Sequence, residues 1–137
     1  MKKLVFAITL FAALTGCSSK KDSVNLGYTV VKQEAYGGAE TEKNVLVNSR
    51  RELVALYALI NELQLPKVDF EKHSVVAVFM GQKSTGGYSI TITDVSIAAN
   101  TAEITVAKTS PTGMATMALT APYCIAVIPK VEKIIVK

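Results

Sequence analysis

A chain of 137 residues, half of them hydrophobic, with a formal charge of +4, is long enough for one domain with a real core. Its basic residues form no cluster interleaved with aromatics, which argues against nucleic acid as the partner. One histidine and two cysteines more than 100 residues apart do not make the spacing of a zinc site, so no metal or other cofactor is expected.

In chain order, Met1-Lys2-Lys3 precedes an apolar run from Leu4 to Leu14, and small residues lead up to Cys17. A short positive start, about ten apolar residues and small residues before a cut site describe an export signal. The run falls short of the roughly 20 residues that a membrane-spanning helix needs. "LTGC" at residues 14–17 resembles the lipobox of bacterial lipoproteins. That resemblance implies cleavage before Cys17 and lipid on its sulfur and new amino group. An ordinary signal peptide with a chance cysteine is the other reading. Residues 1–16 are therefore expected to be the lipoprotein signal peptide. Residues 17–26, with the polar run Ser18 to Ser23, are expected to be the lipidated cysteine and its tether, and residues 27–137 a single domain. Without Lys2 and Lys3 the charge falls to about +2. With Cys17 lipidated, Cys124 stands alone, and "PYCIAVI" marks it as a small apolar core residue. Ser18 is not the aspartate that retains some lipoproteins at the inner membrane. The expected place is the cell envelope, on the outer membrane if the organism has one, on its periplasmic or surface side.

Tyr28 to Glu34 mixes β-branched and polar residues and predicts a first strand, ended by Tyr36-Gly37-Gly38. Val45-Leu46-Val47 predicts a short second strand. Ser49 and Glu52 form a capping box, and Leu53, Leu56, Tyr57, Ile60 and Leu63 recur at helical spacing. One main helix over about 50–63, stopped by Pro66, should lay this stripe on a sheet. Ser74 to Gly81 is apolar on both strand faces, as is Pro122 to Pro129, so both predict central strands buried on two sides. Tyr88, Ile90 and Ile92 share one parity and Val95 and Ile97 the other, so a β-bulge or a bend is expected near Thr93-Asp94. A turn at Asn100-Thr101 would return this arm as a hairpin through Ala102, Ile104 and Val106. Ser110 to Ala121 has no clear periodicity, and Val131 to Val136 offers a last strand. Strands, one helix and then a run of strands favour an α+β fold. The expected architecture is a mostly antiparallel, curved sheet or partial barrel with the helix packed on it.

"GQKSTGGYSI", residues 81–90, has the look of a phosphate-binding loop. The Walker pattern requires Gly-Lys-Ser/Thr followed by a helix, with a glycine five residues ahead. Gln82 separates Gly81 from Lys83, Val76 occupies the earlier position, and a strand pattern follows, so the geometry is missing. His73 is the only histidine, and nothing brings it to Ser84, Ser89 or Cys124, the candidate nucleophiles. Glu40/Glu42 and Asp69/Glu71 lie in polar stretches with no reason for a raised pKa. No catalytic set is expected. What remains is backbone geometry: Gly86 and Gly87 permit positive φ and close approach, and Tyr88 covers adjacent apolar surface.

"VVAVFMGQKSTGGYSITITDV" with the later "LTAPYCIAVIP" resembles the C-terminal domain of the PrcB protease-complex subunit family. Gly81, Thr85, Gly86, Gly87, Tyr88, Ile90, Ile92, Pro111, Pro122 and Tyr123 carry the resemblance, over about Asp69 to Ile135. It implies an envelope lipoprotein that associates with and stabilises a secreted or surface protease without catalysis of its own. The membrane, through lipid at Cys17, and a protease are the expected partners. The candidate partner-binding surface is the Gly86-Gly87-Tyr88 turn with the Ser110–Ala121 loop, whose Met114 and Met117 can adapt to an apolar partner. The glycines and tyrosine serving the fold alone is the competing reading. A protease inhibitor-like or small-ligand-binding lipoprotein is the functional alternative.

Overall fold

The computed structural model describes residues 27–137, so Cys17, the signal segment and the tether lie outside the described residues. Chain order is β1 (Thr29–Glu34), β2 (Glu42–Val47), α1 (Arg50–Leu59), β3 (His73–Met80), β4 (Ser89–Ala98), β5 (Thr101–Thr109), β6 (Tyr123–Pro129) and β7 (Lys133–Val136). The two doubly apolar runs become β3 and β6, the inner pair of a four-stranded antiparallel sheet ordered β1-β6-β3-β2. Val75, Ala77 and Phe79 of β3 face a layer made by Leu53, Leu56 and Tyr57 of α1. Val76, Val78 and Met80 point the other way, onto Ile90, Ile92 and Ile104 of a second sheet. Both faces of these strands therefore leave water, and that is why their sequence does not alternate.

The second sheet has the order β4-β5-β7, with β4 and β5 antiparallel and β7 parallel to β5. The hairpin turns on Ala99 and Asn100, whose φ values of 48° and 66° are those of a type I′ turn. Its bulge is where the change of parity places it. Pairing shifts between Ile92 and Asp94, and this lets Ile90, Ile92 and Val95 all reach the core.

Two expectations need correction. One curved sheet or partial barrel was expected; the strands form two sheets, which are not closed into a barrel. The helix ends at Leu59 and not near residue 63. Asn61 takes φ 54°, and the N–H groups of Asn61 and Glu62 donate to the carbonyls of Ala58 and Tyr57. That is a Schellman stop, with asparagine in the left-handed position that glycine usually takes. Leu63 consequently leaves the apolar stripe and is 92% exposed, and Pro66 is not what stops the helix. At the other end Ser49 Oγ accepts from Glu52 N at 3.3 Å, while Glu52 reaches back to Asn48 N at 2.7 Å, one residue before the cap.

Strand direction sorts the loops into two ends. Thr29 pairs with Val127, and Glu34 with Tyr123, so the described chain begins at the Pro129 end of the first sheet. The loops 35–41, 81–88 and 110–122 lie at the opposite end.

Candidate functional site

The three loops at that far end are held together by backbone contacts that join segments remote in sequence. Lys83 and Thr120 exchange N–H···O=C bonds of 2.7 and 2.9 Å. Thr120 Oγ1 donates to the Thr85 carbonyl at 2.8 Å, and Gly86 N–H donates to Thr116 O at 2.8 Å. Gly87 has φ +87°, and a Cβ there would sit 2.7 Å from Cβ of Pro111. The third loop joins through Gly38 N–H to Ala121 O at 2.9 Å and Ala121 N–H to Ala35 O at 3.0 Å. Pro122 is buried, and its carbonyl accepts from Met80 N–H at 3.0 Å.

The candidate residues thus divide by role. Thr85, Gly86, Gly87 and Pro122 fix the path of the backbone. Tyr88 is half-buried against the core between the sheets, with Lys83 Nζ 5.6 Å from its ring centroid. Tyr123 is buried and stacks on Phe79 with centroids 5.9 Å apart, and burial pushes its hydroxyl above the ordinary pKa of 10.0. Met114 and Met117 differ from all of these, because the tied loop displays them to solvent. Leu119, 67% exposed, is a further apolar side chain displayed by this loop, and Tyr36 is exposed in the neighbouring loop. The sequence reading missed both. Leu119 sits in a stretch without periodicity, and Tyr36 is read first as part of a Gly-Gly turn.

The groups proposed for chemistry are not gathered. His73 opens β3 and Ser84 lies beyond its far end, a strand length of about 23 Å away. Cys124 is fully buried among apolar side chains, and burial pushes its thiol pKa up, away from the reactive thiolate. The ion pair with Lys108 holds the Glu42 carboxyl below its ordinary value, the opposite of what a general acid needs. Asp69 Oδ1 accepts from Glu71 N–H at 3.0 Å as a turn cap. Among the described residues no group of three or more His, Cys, Asp or Glu side chains is placed to hold a metal ion.

Comparison with protein families starts at β3 and ends at β6, taking in both loops that meet at Gly87 and Pro111. Residues 74–129 match the family model of the PrcB C-terminal domain. The PrcB C-terminal match is narrower than the span of resemblance in the sequence. It leaves out β1, β2, α1 and β7, so it rests on the two central strands, the bulged hairpin and the loop contacts. Residues 1–18 match the prokaryotic membrane lipoprotein lipid attachment site, which contains Cys17. The protein is accordingly a membrane-anchored bacterial lipoprotein. No curated protein and no solved structure matches the chain.

Proposed function

We propose that this lipoprotein is a non-enzymatic binding and assembly module that holds a protease at the envelope membrane and stabilises it. The reading takes Cys17 as the lipidated residue, after removal of the signal peptide 1–16. The observation that carries it is the tied loop 110–121. Its backbone is fixed to the Thr85-Gly86-Gly87 turn while Met114, Met117 and Leu119 face solvent. Exposed apolar side chains on an ordered backbone bind with little ordering cost, and methionine adapts to an irregular apolar surface.

The direction of β1 adds to this reading. The described chain starts at the end of the domain remote from the loops, so a lipid tether ahead of residue 27 attaches opposite the loop end and leaves that end free for a partner. The test is to measure the yield and turnover of envelope proteases in cells with and without the lipoprotein, and with Met117→Glu. An assembly factor raises protease yield and loses that effect with Met117→Glu. Lowered turnover at unchanged yield would favour the inhibitor-like alternative instead.

A further inference from the structure

Of the sheet edges, β2 is the one left regular and open. β1 carries a register shift between Val30 and Lys32, and Glu62 pairs with Lys32 at 2.8 Å from the loop after α1. β4 is bulged, and its Thr91 hydroxyl donates to Gln33 of β1. β7 has only four residues. These are the ordinary ways of blunting an edge. β2 pairs with β3 without interruption from Glu42 to Val47, and among the described residues no strand pairs with its outer side.

Two grooves flank that edge, one on each face of the strand. Lys43, Val45 and Val47 line a cleft of about 380 Å³ with Ala55 and Leu59 of α1. Glu42 and Asn44 line a second, of about 330 Å³, with Val106, Lys108, Val136 and Lys137 of the other sheet and its end, and the Glu42–Lys108 ion pair lies at this groove. A strand laid beside β2 would send alternate side chains into the first groove and the intervening ones into the second. A docked helix has no such two-residue alternation. The first groove is mostly apolar, and its charged lining residues are Glu52 and Lys43. The Lys43 ammonium lies 5.7 Å over the Phe79 ring and has no carboxylate within ion-pair distance among the described residues.

We propose that the outer edge of β2 accepts an extended segment of a partner protein as a fifth strand. The segment places apolar side chains toward α1 and an acidic residue opposite Lys43. Backbone hydrogen bonds supply the affinity and the two grooves the selectivity. This site is separate from the loop end and stands whether or not the loop surface binds a protease.

The test uses the full lipoprotein in detergent micelles and a synthetic peptide alternating valine with threonine and carrying one glutamate. Hydrogen exchange is followed by mass spectrometry. The peptide should slow exchange within residues 42–47 and leave residues 110–121 unchanged. Leu59→Arg should weaken binding tenfold or more. Lys43→Glu should weaken it too, and a peptide carrying lysine for glutamate should restore it. Both positions are exposed, so unchanged melting temperatures show that the variants are folded. No slowing at β2 with millimolar peptide, or equal binding by a peptide with a central proline, would overturn the proposal. So would slowing at β2 that needs only a higher protein concentration, because the occupant would then be a second copy.

Discussion

Gly87→Ala tests whether the Gly86-Gly87 pair is a packing device. Gly87 combines two constraints that Gly113 separates. Both have φ near +87°, but a Cβ on Gly87 meets Pro111 at 2.7 Å, whereas a Cβ on Gly113 meets nothing within 4 Å. The left-handed backbone costs an alanine about 1–2 kcal/mol at either position. Reduced freedom of the unfolded chain returns about 0.4–1 kcal/mol of that in both. Displacing Pro111, whose ring cannot rotate away, adds about 1–3 kcal/mol at Gly87 alone, in the range of overpacked cores. Gly113→Ala should therefore cost about 0–1.6 kcal/mol, and Gly87→Ala about 1–4.6 kcal/mol, the excess at Gly87 being the Pro111 contact. Urea unfolding followed by circular dichroism measures both, and Pro111→Gly in the Gly87→Ala background should recover part of the difference. Equal destabilisation at the two glycines would refute the reasoning. It would mean that the contact between the turn and the 110–121 loop is not a tight one.

Three further outcomes follow from the same geometry. Ser74 is fully buried; its Oγ accepts from Val131 N–H at 3.1 Å and donates to Asn48 Oδ1. Ser74→Ala should cost about 1–3 kcal/mol in chemical denaturation by orphaning that N–H. The Lys32 partner holds the Glu62 carboxyl below its ordinary 4.5, so the pair's contribution is present above that value and is lost as pH falls through the folded pKa. The gap in melting temperature between the protein and Glu62→Gln should accordingly narrow from pH 7 toward pH 3. Leu53→Ala should cost about 2–5 kcal/mol as a core truncation, while Leu63→Ser, though on the same stripe in sequence, should stay within about 0.5 kcal/mol by thermal melting.

That contrast between Leu53 and Leu63 shows where sequence and structure part. The helix and its start are legible because the capping box and the 3.6-residue period are local. The stop is less so, since Asn61 ends the helix by adopting a left-handed conformation that asparagine only sometimes takes, and Pro66 is the louder signal. The central position of β3 and β6 is legible because strands buried on both faces have no polar parity. The bulge at Thr93 shows as a change of parity. The division into two sheets is not, because it depends on which strands pair across long separations, and β5 with β7 even pair in parallel.

For the candidate site, the sequence marks Gly86, Gly87 and Met117 as unusual but does not show that they belong to one assembly. The partners are Pro111, Thr116 and Thr120, about 25–35 residues away, and no local pattern announces a contact of that range. The same holds for the loop that carries Tyr36, which is joined to this end through the bonds of Gly38 and Ala35 to Ala121.

Under the proposed function a protease docks at the loop end, not at the Pro129 end of the first sheet. Photo-crosslinking in living cells measures this directly, with benzoylphenylalanine placed at Met117 or, as a control, at Lys130 beyond the other end of β6. An envelope protease should be crosslinked through residue 117 and not through residue 130. Crosslinking of the protease from residue 130 alone, or of no protease from either, would contradict that docking.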